Sequence, residues 1–184
     1  MRAVVLVEGT SDKVAVETLA ERRGRSLVAE GVSVLPIGGA QAIGRYLKEF
    51  GPGGLDLELA GLVDAKEERD FQRGLERAGL GSNLTRDNLE RLGFYVCDAD
   101  LEDELIRALG AESVVRVVDA EGDLGSFRTF QKQPEWRARP PAAQLRRFLG
   151  SGGSRKIRYA KLLVEALDLQ DVPRPLDRVL AHVT

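Results

Sequence analysis

The chain has 184 residues, 43% of them hydrophobic and 30% charged, which is enough to bury one good core and excludes a disordered or fibrous protein. No apolar run approaches the ~20 residues that cross a bilayer, and the N-terminus lacks a signal-peptide pattern, so a cytoplasmic protein with no membrane partner is expected. A single cysteine, Cys97, and a single histidine, His182, exclude an internal disulfide and a Cys/His zinc site, so any metal must be held mainly by oxygen.

The net charge of −2 hides a gradient. Residues 125–184 carry 12 Lys and Arg against 5 Asp and Glu, whereas residues 1–124 carry 15 against 24. A charge run is ordinarily a solvated face; here the basic third is also a candidate ridge for phosphates beside an acidic site.

In chain order, Ala3-Val4-Val5-Leu6-Val7 predicts a buried strand, Gly9 to Asp12 a turn, and Lys13 to Arg23 a helix capped by Thr10 or Ser11. Val32 to Leu35, the Gly38-Gly39 turn and a helix over Ala40 to Phe50 form a second unit. Leu59 to Val63 and a charged helix from about Glu67 to Ala78 form a third, and Phe94 to Val96 with Leu101 to Leu109 a fourth. Repeated strand–helix units predict an α/β fold with a mostly parallel sheet of about four strands, helices on its faces and right-handed crossovers. Gly51 to Gly54 and Gly150 to Ser154 read as loops, the second the better candidate for a mobile one. Helices are expected near Leu124 to Gln131, Ala142 to Leu149, Lys156 to Leu167 and Pro175 to His182. The organisation expected is an α/β domain over 1–122 and a basic, mainly helical extension over 123–184.

In such sheets chemistry sits past the carboxyl ends of the strands. Glu8 follows the first strand, Asp64 the third, and Asp98, Asp100 and Glu102 the fourth. One acid there is ordinarily a helix cap. Acids at several strand ends repel one another unless a cation compensates them, and hard oxygen donors favour Mg²⁺ or Mn²⁺.

These residues carry a family resemblance. Leu6-Val7-Glu8-Gly9-Thr10-Ser11-Asp12 resembles the first motif of Toprim domains, and Gly61-Leu62-Val63-Asp64 the second. Asp98-Ala99-Asp100-Leu101-Glu102-Asp103-Glu104-Leu105 is similar to the downstream acidic segment in OLD-type ATP-dependent endonucleases, and Val34 to Gly39 falls where those proteins have their second strand and glycine turn. The resemblance covers residues 3–110 and, more weakly, 154–167. It implies a Toprim (Rossmann-like) fold and magnesium-dependent phosphoryl transfer on DNA or RNA, as a nuclease or nucleotidyl transferase, in DNA repair or phage defence. By the match, Glu8 and Asp64 are the core ligands, and Asp12, Asp100 and Glu102 complete the site. Lys156 resembles a basic position that stabilises transition-state charge; its plain reading is a surface lysine near a helix start.

One departure stands out. The second motif of the family is Asp-x-Asp, but here Lys66 replaces the second aspartate in Asp64-Ala65-Lys66-Glu67-Glu68. Glu68, four residues beyond Asp64 and on the same face if a helix begins there, is the candidate substitute. Arg137, Arg139, Arg146, Arg147, Arg155 and Arg158 are the candidates for phosphate contacts, while Phe127, Phe130, Trp136 and Phe148 either stack on bases or, more plainly, fill a core. The sequence has no Gly-x-x-x-x-Gly-Lys-Ser/Thr loop, so ATP hydrolysis is expected only from a separate ATPase or repair partner. The rival readings are a nucleic-acid-binding or regulatory subunit without chemistry, which Lys66 favours, and a small-molecule phosphotransferase. Oligomeric state is left open.

Overall fold

The computed structural model describes residues 1–184 and contains one four-stranded sheet in the order β2-β1-β3-β4, every neighbouring pair parallel. The strands are β1 (Ala3–Val7), β2 (Val32–Pro36), β3 (Glu58–Val63) and β4 (Phe94–Val96). β1 lies in the middle and is wholly buried, as its unbroken apolar run demands: Ala3, Val5 and Val7 face one layer, Val4 and Leu6 the other.

The layers differ in size. On one face α2 (Ile43–Phe50), α3 (Glu68–Arg77) and α4 (Arg86–Arg91) bury Leu47, Phe71, Leu75 and Leu89 against Leu6, Val63 and Phe94. On the other face α1 (Thr10–Arg22), α5 (Leu101–Leu109) and α6 (Ala111–Ala120) share one continuous core with α7 (Leu124–Gln131), α8 (Pro141–Leu149), α9 (Gly153–Ala166) and α10 (Arg174–His182). Leu163 and Val164 of α9 pack with Val16 and Leu19 of α1, and α10 lies against β3 and β4. Residues 123–184 therefore complete a face of the sheet, and their apolar side chains share the core of residues 1–122. Arg22 ties the two together by donating to the Val164 and Leu167 carbonyls at the end of α9, at 2.9 and 2.7 Å.

Local details differ from the sequence expectation in three places. Gly9, not Thr10 or Ser11, caps α1: its N–H donates to Asp12 Oδ2 at 2.9 Å, so the carboxylate and not a hydroxyl closes the first turn. Helix α9 starts at Gly153, inside the segment expected to be a loop. Helices α4 and α6 have no counterpart in the expected elements. The first is a short turn fastened by Thr85 and Asn88, and the second is rich in β-branched valine, whose weak helix propensity is overridden by burying Val114 and Val118.

Candidate active site

β1, β3 and β4 are consecutive in the sheet, so Glu8, Asp64 and the segment Asp98 to Glu102 emerge side by side at spacings of about 4.8 Å per strand. Backbone bonds fix the loops: Ala65 N–H donates to the Ala99 carbonyl at 3.1 Å, and Gly38 N–H to the Glu8 carbonyl at 3.0 Å. Gly38 and Gly39, at φ 76° and 112°, hold positive values that a side chain resists, and so turn the chain beside Glu8.

Asp64 is the most perturbed acid of the cluster. Burial is the largest cause of its raised pKa; a hydrogen bond shared with Glu8 and the charges of Glu8, Asp12 and Asp100 add to it. Lys66 partly compensates the pair, its Nζ 3.9 Å from Glu8 Oε1 and 3.8 Å from Asp64 Oδ2. Asp12, 7% exposed, is pushed up to about 6 by burial, against the Gly9 N–H that lowers it, with Glu102 and Glu8 raising it further. Glu102 faces Lys156, Nζ to Oε1 3.1 Å. Burial acts to lower the Lys156 pKa, but Glu102, Asp12 and Asp64 raise it overall, so this lysine is charged and belongs to the acidic cluster. Asp100 accepts from Asp103 N–H at 2.9 Å as the cap of α5, and receives a two-pronged ion pair from Arg146.

Glu68 is turned away from the cluster. It pairs with Arg86 at 2.6 Å and accepts from Gln72. The cause is local: Ala65–Glu67 form a 3₁₀ turn, not the start of an α-helix, and Glu67 N–H donates to the Asp64 carbonyl at 2.8 Å. With three residues per turn, residue 67 and not 68 returns to the side of Asp64. Glu67 accordingly faces Glu8, which with burial raises its pKa, and its Oε2 is buried without a hydrogen-bond partner. Nothing in the sequence pattern separates Glu67 from Glu68 except the choice between a 3₁₀ and an α turn. Asp98 also lies outside the cluster, paired with Arg107 at 3.1 Å.

The Asp100 and Glu102 end of the cluster borders a cleft of about 600 Å³, which Lys66 and Lys156 also line, with Arg139, Arg146, Arg147 and Trp136; Glu8, Asp12 and Asp64 are not part of its lining. Three of the six candidate arginines are thus brought to the acids. Arg137 is exposed on the turn before α8 but does not line the cleft. Arg155 lies over the Phe148 ring, 4.4 Å from its centroid, and donates to Ser151. Arg158 is engaged by Asp123 and, at 3.9 Å, by Glu121.

As the side chains stand, no three acids close on a common point tightly enough to enclose a cation, since each is turned to an internal cation, a neighbour or a backbone N–H. The donor set nevertheless fits a hard divalent ion. It is all oxygen, and the raised Asp64 and the orphaned Glu67 oxygen mark negative charge in excess of what Lys66, Lys156 and Arg146 balance.

Residues 1–65, which contain Glu8, Asp12 and Asp64, match the family model of the overcoming lysogenization defect (OLD) protein-like TOPRIM domain. Solved structures agree over nearly the whole chain. The C-terminal region of the Xanthomonas campestris pv. campestris OLD protein superposes with a TM-score of 0.72 at 25% identity, covering 99% of this chain and 94% of that one. The chain carries an OLD-like TOPRIM domain. The C-terminal region of the Burkholderia pseudomallei OLD protein has the same fold, with a TM-score of 0.74 at 22% identity over 99% and 96% of the two chains. The TOPRIM fold thus extends through α7–α10, well beyond the matched 65 residues. Comparison with curated proteins gives no match. No helix of the TOPRIM structure is long and apolar enough to cross a membrane.

Proposed function

We propose that this TOPRIM site carries out Mg²⁺- or Mn²⁺-dependent chemistry on the phosphodiester backbone of DNA or RNA, as a nuclease or a nucleotidyl transferase. The observation that supports it is the cleft in which the carboxylates of Asp100 and Glu102 meet Lys156, Arg139, Arg146 and Arg147. Carboxylates alone repel a phosphate and cations alone only hold it; the two together suit a reaction at the backbone. Glu8, Asp12 and Asp64 would hold the ion, with Glu67, Asp100 and Glu102 around it. A bound divalent ion supplies neutralisation of phosphate charge and activation of the attacking oxygen. Lys156, fixed by Glu102, is suited to charge that builds on the phosphate, and Arg146 and Arg147 to holding the strand. A separate ATPase or repair protein acting with this chain belongs to the same proposal.

The test is incubation with end-labelled single-stranded and duplex DNA and RNA in Mg²⁺, Mn²⁺ or EDTA, beside Glu8→Gln and Asp64→Asn. Cleavage or transfer that needs the metal and vanishes in both variants supports the reading. Binding without any reaction supports the second reading, a nucleic-acid-binding or regulatory TOPRIM protein, which Lys66 favours because its ammonium already partly offsets Glu8 and Asp64.

A further inference from the structure

Trp136, the only tryptophan of the chain, stands in the turn between α7 and α8, on the cleft wall beside Arg139 and Arg147. It is the outermost ring of an aromatic file. Phe127 is fully buried and Phe148 is 3% exposed, as core residues should be; Phe130 bridges them to Trp136, its ring centroid 5.3 Å from the indole. The indole is only partly covered, and what it borders is a charged cleft and not further core. Its backbone is held firmly. Gln144, which is buried, donates to the Trp136 carbonyl at 2.8 Å, and the Trp136 N–H donates to the Gln133 carbonyl at 3.0 Å. Neither Arg139 nor Arg147 is paired with a carboxylate, whereas Arg146 between them on the wall is.

We infer that Trp136 is a stacking platform for an unpaired nucleobase, with Arg139 and Arg147 taking the flanking phosphates, so that the cleft receives a single strand. The inference rests on the nucleic-acid reading of the cleft and adds the substrate's form. A fixed aromatic ring is of use to a strand only where a base offers its face. In a duplex those faces are covered by neighbouring bases, and the phosphates alone remain within reach of a wall of cations. A ring held by its own backbone contacts loses little freedom on binding, which favours the stacked geometry.

The single tryptophan makes the test direct. Binding in EDTA keeps the measurement apart from any chemistry. Four probes are titrated: a short oligothymidylate, an abasic strand of equal length and charge, a duplex, and thymidine monophosphate. Labelled-probe anisotropy reports binding and tryptophan emission reports stacking. The oligothymidylate should quench the emission and bind about tenfold more tightly than the abasic strand, the size of one or two base–aromatic contacts. The duplex and the abasic strand should bind without quenching. Trp136→Leu should abolish the preference for the oligothymidylate over the abasic strand, and Trp136→Phe should keep most of it. Quenching by the mononucleotide with no preference for the oligomer overturns the single-strand assignment. Binding of the oligothymidylate with unchanged emission overturns this inference and leaves the backbone-binding reading intact; no binding by any strand overturns both.

Discussion

The Lys66 ammonium hangs 3.8 Å from the carboxylate of Asp64, two residues before it, and so neutralises in part an acid that the proposed function assigns to a cation. The lysine is 70% exposed and can swing away, so on that reading it should weaken cation binding without blocking it. Lys66→Asp should raise Mn²⁺ affinity by about fivefold or more, and the uncharged Lys66→Met by less. Calorimetric titration measures both. Weaker binding by Lys66→Asp would make the lysine a working part of the site.

Glu8→Gln and Asp64→Asn keep size and most hydrogen bonding while each removes one ionisable carboxyl from a crowded pair. Both should fold, and in the absence of metal should melt at or above the wild-type temperature. Mn²⁺ should raise the wild-type melting temperature by mass action and fail to do so in either variant. A full Mn²⁺ shift in both variants removes the cation from this cluster.

Two buried acids give the metal-free protein a definite pH dependence. Asp12 titrates at about 6, because burial outweighs the Gly9 N–H, and Asp64 is raised by burial and by Glu8. The folded protein therefore holds protons that the unfolded chain has released above about 4. Their contribution to stability is complete below the unfolded value and is lost as pH rises through the folded ones. Melting curves in EDTA should show wild-type stability falling, relative to Asp12→Asn and Asp64→Asn, as pH rises through about 6. A constant difference between wild type and variants across that range contradicts the buried, crowded state of these acids.

Arg147 and Arg158 should part company. Arg147 faces the cleft without a carboxylate partner, so Arg147→Glu should weaken binding to all sequences and lower the salt slope by about 1 or 2, with little change in melting temperature. Arg158 is held by Asp123, which also accepts from the buried Tyr159 hydroxyl at 2.7 Å. Arg158→Glu should therefore cost stability, about 1–3 kcal/mol, more than it costs binding. Filter-binding across a salt series and thermal melting separate the two effects.

The sheet was legible because parallel strands announce themselves as short buried runs, and Glu8 and Asp64 because each directly follows such a run. The place of Glu67 beside Glu8 was not. Choosing Glu67 over Glu68 needs the 3₁₀ turn at Ala65–Glu67, and no local pattern distinguishes one tight turn from the start of an α-helix. Arginine roles were equally hidden: Arg146, Arg147 and Arg158 look alike in sequence, and only the approach of Asp100 and Asp123 in three dimensions sorts them. The helical third reads as an appendage for the same reason, since amphipathic helices do not say which face of a sheet they will cover.

Because Glu8 and Asp64 leave from the ends of hydrogen-bonded neighbours, β1 and β3, their spacing is inherited from the ladder itself, which neither stretches nor slips without exposing a buried face. The cations of α8 have no backbone ladder behind them: the helix packs on α5, α6, α7 and α9 and not on the strands, and of its arginines Arg146 is held by the side chain of Asp100 while Arg147 has no carboxylate partner. Substitutions along α8 can therefore retune the charge of the cleft wall while the distance between Glu8 and Asp64 stays constant.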